Sequence, residues 1–285
     1  MNKIAQRLLV FFIGVPALFF ALLFFPQKNH LLFNLVILVF SVLGALELRS
    51  ILAHKNMEIS IAETIILGAL GPVSWTAVVS FGITGHIIAG VFIAGASWLL
   101  LSITFQGQGK FESCIGRFCA GIVLMIYPGL FMSWIVQMAV FPYAGMVIMV
   151  FFLVTFLNDA AAWLAGVLIG KNNRGLIPAS PSKSIAGFIG GLAASVGTGM
   201  LAVKFIPAAF SSSLMPSLLA GALLGFGAGI AAILGDLGES AIKRSADVKD
   251  SGTLIMGRGG ALDSIDSLIL AAPVYYVLYQ YLFLI

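Results

Sequence analysis

Charged residues are scarce in this sequence. Only 9% of its 285 residues are Asp, Glu, Lys or Arg, whereas soluble globular domains carry about 25%. Cysteine is also rare. The two cysteines, Cys114 and Cys119, have no second Cys pair or nearby His with which to complete a zinc site. Neither a G-x-x-x-x-G-K-[ST] phosphate loop nor a strand-led dinucleotide motif occurs. These absences exclude an ordinary soluble domain, a thiolate metal site and the two standard nucleotide-binding motifs.

Long apolar runs dominate the chain instead. Hydrophobic residues make up 60% of it, and about 20 apolar helical residues cross a hydrocarbon core of about 30 Å. None of the runs alternates apolar and polar residues as barrel strands do. The predicted fold is therefore all-α, a polytopic transmembrane helical bundle of about nine spans. The predicted spans are Leu8–Phe25, Leu31–Arg49, Ile61–Ser80, His86–Ile103, Phe118–Val140, Ala144–Ile169, Ile185–Phe205, Met215–Leu234 and Ser267–Leu284.

Basic residues give an independent test of this topology. With a retained first helix, nine spans and a cytoplasmic N-terminus, 13 of the 15 Lys and Arg residues fall inside, and only Lys28 and Lys204 fall outside. The polar segments Gly170–Ser184 and Asp236–Asp266 are then cytoplasmic, where nucleotides are available. Because the basic residues form no single patch, no nucleic-acid partner is expected.

Few residues in the first half of the chain suggest chemistry. The acids Glu47, Glu58, Glu63 and Glu112 lie near span ends or in short loops, where interfacial solvation explains them. We assign no site before Asn158. Asp159 differs, because an ionisable group within an apolar run is costly unless it is paired or lines a polar cavity. It is a candidate site residue, and a hydrogen bond between helices from the Asn158/Asp159 pair is the alternative.

Glycine-rich and serine-rich segments follow Asp159. Pro181 would begin a helix that Ser180 caps, and the free N–H groups of such a terminus bind anions. Lys183, Ser180 and Ser184 would then face a phosphate, whereas the alternative is a basic loop that obeys the positive-inside rule. The runs Gly187–Gly191 and Gly225–Gly229 lie inside predicted spans, where small residues let helices approach closely.

The strongest constellation begins at Gly235-Asp236-Leu237-Gly238-Glu239-Ser240-Ala241-Ile242-Lys243-Arg244. Asp236, Glu239, Ser240 and Lys243 have the i, i+3, i+4, i+7 spacing that places all four on one helix face. The chain continues through Lys249-Asp250-Ser251-Gly252 and Gly257-Arg258-Gly259-Gly260 to Asp263 and Asp266, again at i and i+3.

Helix capping explains one of these aspartates, but not four acids at the ends of two spans around a glycine-rich link. Carboxylates without His or Cys suit a hard cation such as Mg²⁺, which leaves positions for waters and phosphates. The matching positive charge for a polyphosphate would come from Lys243, Arg244, Lys249 and Arg258. The residues alone predict Mg²⁺-dependent handling of a phosphorylated substrate at the membrane surface.

The run from Asp236 to Asp266 resembles the signature of the CDP-diacylglycerol synthase family, the phosphatidate cytidylyltransferases. That signature reads roughly G-D-x-x-E-S, K-R, K-D-S-G and G-H-G-G-x-x-D-R-x-D. The segment from Ser180 to Gly191 and Asp159 resemble further parts of the family, so the likeness covers about the C-terminal half. The resemblance implies transfer of a cytidylyl group from CTP to phosphatidate, with release of pyrophosphate.

The resemblance also implies roles for individual residues. The expected catalytic residues are Asp236, Asp263, Lys243 and Glu239, and the expected metal ligands are Asp236, Asp263, Asp266 and Glu239. The expected substrate-binding residues are Lys183, Ser180, Ser184, Arg244, Lys249, Asp250, Arg258 and Asp159. Mg²⁺ is the expected cofactor, and a monovalent cation such as K⁺ is compatible with the family. The chain then divides into N-terminal transmembrane helices, residues 1–140, and a C-terminal catalytic region, residues 141–285, with cytoplasmic loops 170–184 and 236–266.

CTP, phosphatidate and membrane lipids are the expected partners, a homodimer is compatible, and the expected location is the cell membrane with the site facing the cytoplasm. The chain departs from the family pattern at Arg258 (His in the family), Ser264 (Arg), Ala160 (Ser), Trp163 (Tyr) and Ser182 (Lys or Gly). We hypothesise that Arg258 replaces the charge missing at Ser264. A CTP-dependent enzyme on an isoprenoid lipid, a non-catalytic paralogue and a transporter are the alternatives.

Overall fold

A computed structural model describes residues 10–105, 111–255, 257 and 259–285 of the chain. Within them the structure contains helices and turns but no strand, so the predicted all-α fold is confirmed. The α-helices are α1 (Val15–Phe24), α2 (Gln27–Ala53), α3 (Ile61–Phe81), α4 (His86–Thr104), α5 (Cys114–Leu124), α6 (Phe131–Gln137), α7 (Ala144–Leu168), α8 (Ile185–Phe205), α9 (Ser217–Ser245) and α10 (Leu262–Tyr279). Short π-helical segments at Val10–Gly14, Met125–Leu130 and Gln280–Leu284 and a 3₁₀ turn at Met138–Val140 extend some of them.

Eight helical segments of the described chain are long and apolar enough to cross a membrane. They coincide with the second to ninth predicted spans, and α5 and α6 form one of them, Cys114–Val140. The first predicted span corresponds to a shorter apolar helix, Phe12–Phe24, and its predicted start at Leu8 lies outside the described residues. The protein is therefore an integral membrane protein of about the predicted number of spans.

The chain forms two compact units. Unit 1 comprises Met1–Gln137 and Ile242–Ile265, and unit 2 comprises Met138–Ala241 and Asp266–Ile285. The end of α9, the beginning of α10 and the loop that joins them therefore belong to unit 1. The division of the chain after residue 140 stays a prediction about its organisation.

Polar side chains join the helices of unit 1. Ser41 Oγ of α2 lies 2.8 Å from the Gly68 carbonyl oxygen of α3 and 2.7 Å from that of Pro128. Ser60 caps α3 in a reciprocal arrangement with Glu63. The buried Glu63 carboxylate also accepts hydrogen bonds from Arg117 Nη2, at 2.7 and 2.9 Å, and from Trp98 Nε1. Hydrogen bonds of this kind fix helix positions where the hydrophobic effect between helices is absent.

Glycines bring α7, α8 and α9 of unit 2 close together. A Cβ at Gly190 would lie 2.6 Å from the Ala165 Cβ, and one at Gly225 would collide with the Ser195 carbonyl oxygen. The prediction that the runs Gly187–Gly191 and Gly225–Gly229 serve helix approach is confirmed. Asn158 Nδ2 donates to Ser195 Oγ at 2.8 Å and to the Gly229 carbonyl at 3.4 Å, so a polar side chain ties the same three helices together.

Two predicted boundaries are wrong. The segment Asp236–Asp266 is not a loop throughout, because α9 continues to Ser245 and α10 already begins at Leu262. Hydropathy marks only the apolar part of a helix, so the polar residues that continue α9 after Leu234, among them the good helix formers Glu239, Lys243 and Arg244, lie outside the predicted span. Similarly, α8 begins at Ile185 rather than Pro181. Ser180 and Pro181 lie in turns closed by hydrogen bonds from Lys183 N to Ser180 O and from Gly175 N to Pro181 O.

Candidate active site

The carboxylate of Asp263 is enclosed by unit 1. Its Oδ1 lies 2.5 Å from the ammonium of Lys243. Its Oδ2 accepts hydrogen bonds from the Gly260 N–H at 2.7 Å and the Ser251 N–H at 2.9 Å, and it lies 3.0 Å from the Ser251 hydroxyl oxygen. Hydrogen bonds to a charged acceptor are stronger than those between neutral groups. Asp263 therefore fixes the end of α9, the start of α10 and the loop between them.

The glycine-rich link makes this enclosure sterically feasible. Gly259 has φ = +109°, a conformation that L side chains rarely adopt, and its N–H and carbonyl pair with those of Ile255. A Cβ on Gly260 would collide with Ser251 Oγ and with Glu47 Oε2. The glycines thus allow the loop to fold tightly against two acids.

Glu47 is a residue of this region that the sequence prediction missed. It lies in the C-terminal part of α2, and its Oε1 accepts a hydrogen bond from the Ala261 N–H at 2.9 Å. Its Oε2 accepts from the Leu262 N–H and from the Ser251 hydroxyl, both at 2.8 Å. Interfacial solvation therefore does not explain Glu47. The sequence feature that could have identified Glu47 is the one that identified Asp159, because both are acids within a predicted span.

Unit 2 gathers a group of carboxylates. Asp266, in the second turn of α10, has Asp236, Glu239 and Asp159 as its charged neighbours. The buried Ser267 hydroxyl lies 3.0 Å from Asp159 Oδ2 and 3.1 Å from Asp266 Oδ1. Asp159 is thus joined to the acids near the chain's C-terminus, whereas its neighbour Asn158 makes the helix-linking bonds that were the alternative.

Lys183 forms an ion pair with Asp236 in unit 2. Its side chain is 23% exposed and that of Asp236 30%, so both remain accessible to a ligand. Because Lys183 sits one residue before the N-cap of α8, the turn-rich segment after α7 is what places its ammonium beside an acid of α9. The structure thus brings a basic group of the segment after α7 beside a carboxylate of α9.

The other predicted residues differ in burial and in the contacts that they make. Ser184 is buried and caps α8 by accepting a hydrogen bond from the Gly187 N–H at 3.0 Å. Arg244, Lys249 and Asp250 are exposed near the end of α9, and Arg244 donates to the Val248 carbonyl. Ser264 donates to the Gly260 carbonyl at 3.2 Å. Arg258 lies outside the described residues, so its compensation for Ser264 stays a hypothesis.

The described residues contain no group of three or more His, Cys, Asp or Glu side chains arranged to hold a metal ion. The donor chemistry of unit 2 nevertheless fits Mg²⁺, since neighbouring carboxylates without thiolates or imidazoles are hard oxygen ligands. Mg²⁺ commonly takes one or two carboxylates and completes its shell with waters and substrate phosphates. Asp263 is the poorer fit, because its Oδ1 pairs with Lys243 and its Oδ2 already accepts two backbone hydrogen bonds.

Comparison with known proteins finds relatives that bear the name phosphatidate cytidylyltransferase. A phosphatidate cytidylyltransferase of Staphylococcus saprophyticus is 30% identical over 248 residues, which cover 86% of this chain and 90% of that protein. One from Staphylococcus haemolyticus is 34% identical over 183 residues, or 64% of this chain and 66% of the relative. The uncharacterized protein YnbB of Escherichia coli is 33% identical over 198 residues, or 67% of this chain and 63% of the relative. The matched region spans just under two thirds of the length of these last two relatives.

The family model itself covers almost the whole sequence. Residues 5–282 match the model of the cytidylyltransferase family, so the likeness extends beyond the C-terminal half that carries the recognisable motifs. The N-terminal helices, which resembled the family only in character, are included in the match. The chain belongs to the cytidylyltransferase family.

Proposed function

We propose that this protein transfers a cytidylyl group from CTP to phosphatidate. In that reaction an oxygen of the lipid phosphate forms a bond to the α-phosphorus of CTP. The bond between the α-phosphorus and its bridging oxygen to the β-phosphorus breaks, and the β- and γ-phosphates leave together as pyrophosphate. The products are CDP-diacylglycerol and pyrophosphate.

The observation that carries the proposal is the carboxylate group of unit 2. Asp236, Glu239 and Asp159 are the charged neighbours of Asp266, and Lys183 pairs with Asp236. Like charges this close repel one another unless a cation or proton offsets them. Relatives that bear the name phosphatidate cytidylyltransferase support the choice of substrates.

We propose Mg²⁺ as the cofactor, held by Asp236 and Asp266 with Glu239 in support. When bound, the ion would offset the negative charge of the triphosphate and of the departing pyrophosphate. A direct metal role for Asp263, and a second monovalent cation such as K⁺, stay predictions.

The chain's own residues would bind and orient the two phosphorylated substrates. The Lys183 ammonium would exchange part of its contact with Asp236 for a phosphate oxygen. Arg244 and Lys249, exposed cations of unit 1, stay predicted substrate contacts. Such catalysis depends mainly on positioning and on fixed charges at the reacting phosphates. Ser180, Ser184, Asp250, Asp159 and Arg258 stay predicted substrate contacts.

The proposed setting is the cell membrane, with the acids facing the cytoplasm. The excess of Lys and Arg in the predicted cytoplasmic segments supports this orientation. A homodimer stays a prediction, which the mass of the detergent-purified protein would test.

The proposal is tested by pyrophosphate release from purified protein given CTP, Mg²⁺ and phosphatidate in mixed micelles. Release should require all three components. Asp236→Asn and Asp266→Asn should each lower it about 100-fold, because each removes fixed charge from the reacting centre. Asp247→Asn is the matched control: Asp247 is an exposed acid near the end of α9, 3.7 Å from Lys55, and should leave the rate unchanged.

The products separate the proposed reaction from its alternatives. Formation of CDP in place of pyrophosphate would indicate a kinase. Pyrophosphate release with an isoprenoid phosphate, but not with phosphatidate, would indicate another lipid acceptor. Absence of both products beside an active relative would leave a non-catalytic paralogue or a transporter.

A further inference from the structure

Glu47 holds the loop of unit 1 from a helix near the other end of the chain. Its carboxylate accepts three hydrogen bonds, from the Ala261 N–H, the Leu262 N–H and the Ser251 hydroxyl. The Leu262 N–H belongs to the first turn of α10, whose amides have no partner within the helix, and the Ala261 N–H immediately precedes it. A single acid therefore caps α10 and binds the loop that precedes it.

The fit around Glu47 is close on two sides. A Cβ on Gly252 would lie 2.6 Å from Glu47 Oε1, and one on Gly260 would collide with Oε2. Glycine at both positions therefore lets the backbone pass the carboxylate at hydrogen-bonding distance. This arrangement is specific to a carboxylate, because an amide has only one acceptor oxygen and cannot accept all three bonds.

Ser251 links Glu47 to Asp263. The Ser251 hydroxyl lies 2.8 Å from Glu47 Oε2 and 3.0 Å from Asp263 Oδ2, and it also receives a bond from the Asp263 N–H at 3.3 Å. Asp263 in turn contacts Lys243. A displacement of Glu47 would thus move Ser251 and the first turn of α10, and with them the Asp263–Lys243 pair.

We infer that Glu47 is a positioning residue that holds Ser251 and the start of α10, and through them the Asp263–Lys243 pair, in the geometry needed for cytidylyl transfer. The inference deepens the proposed function and rests on it. It assigns a role to the N-terminal helices, whereas the recognisable motifs all lie in the C-terminal half. Glu47 itself is not proposed to touch substrate.

Glu47→Gln tests the inference, with Glu63→Gln as the matched control. Glu63 is an acid of the same unit that also accepts several hydrogen bonds, but from Ser60, Trp98 and Arg117 rather than from the loop. Glu47→Gln should lower kcat for pyrophosphate release about 10-fold to 100-fold, because small misplacements of reacting groups have effects of that size. KM for CTP should change less than about threefold. Glu63→Gln should lower the thermal unfolding temperature without a comparable loss of kcat.

Hydrogen exchange provides a readout that does not require activity. In Glu47→Gln the amides of Ser251 and residues 259–263 should exchange about tenfold faster than in the wild type, since local opening sets their exchange rates. Glu63→Gln should leave them protected. If Glu47→Gln does not fold, Ser251→Ala removes the linking hydroxyl alone and should give the same exchange pattern with a smaller fall in kcat.

The two proposals fail in different ways. A wild-type protein without pyrophosphate release would overturn the proposed reaction, while the exchange pattern would still decide whether Glu47 holds the loop. Normal protection and normal kcat in Glu47→Gln would overturn the positioning role. Equal losses of kcat and protection in Glu47→Gln and Glu63→Gln would also overturn it, because they would indicate a general effect on the fold.

Discussion

Lys243 Nζ lies 2.5 Å from Asp263 Oδ1, and the two side chains are only 10% and 8% exposed. Lys243 comes from the last turns of α9 and Asp263 from the first turn of α10, so the pair closes the loop between the helices. Removing one member of a buried ion pair leaves the other charge in an environment that does not solvate it. The pair is therefore a sensitive point for stability as well as for activity.

We expect Asp263→Asn to lower the free energy of unfolding by about 3 kcal/mol, because Lys243 loses its charged partner in a buried position. Pyrophosphate release should also fall. Thermal unfolding in detergent and the release assay measure the two effects. The double variant Lys243→Met/Asp263→Asn, in which the amide oxygen can still accept the Gly260 and Ser251 N–H groups, should recover much of the stability without the activity. Recovery of both would contradict a role of the pair in the reaction.

Lys183→Met should raise KM for CTP or for phosphatidate about tenfold, because it removes a charged contact to a phosphate worth about 1.4 kcal/mol. Lys171→Met is the control, since Lys171 is an exposed lysine of the same segment. Initial rates at varied concentrations of each substrate identify which KM changes. A fall in kcat with both KM values unchanged would instead assign Lys183 to holding Asp236 in place.

Gly225→Ala should destabilise unit 2 by about 1–3 kcal/mol, because the added Cβ would collide with the Ser195 carbonyl oxygen. Gly197→Ala is the matched control. Its Cβ would meet nothing within 4 Å, and alanine favours the helix over glycine. The difference between the two thermal unfolding temperatures is the measurement, and equal temperatures would mean that α8 and α9 separate easily.

Much of the fold was predictable because the bilayer imposes a simple rule. A segment that crosses hydrocarbon must be helical and apolar over about 20 residues, so the apolar runs locate the spans. The same rule makes an ionisable residue within a span conspicuous, which identified Asp159. The rule does not fix helix ends, since polar residues can continue a helix beyond its apolar part, as those from Asp236 to Ser245 do.

The candidate site was predictable where its residues are close in sequence. Helical spacing grouped Asp236 with Glu239 and Asp263 with Asp266, and the helices that this spacing requires are present. The residue that caps α8 was harder to predict. Ser180 was the predicted helix cap, whereas the turns between Asn173 and Ile185 place the start of α8 later and Ser184 caps it.

The sequence by itself determined the membrane-spanning helical fold, the acidic and basic residues of the C-terminal half and their family resemblance. These features depend on composition, on periodicity and on motifs within short segments. Only the tertiary structure revealed that Glu47 binds Ser251, a residue 204 positions later in the chain. Side-chain contacts between distant segments depend on how the helices pack and how the loops return, and no local pattern of residues encodes that geometry.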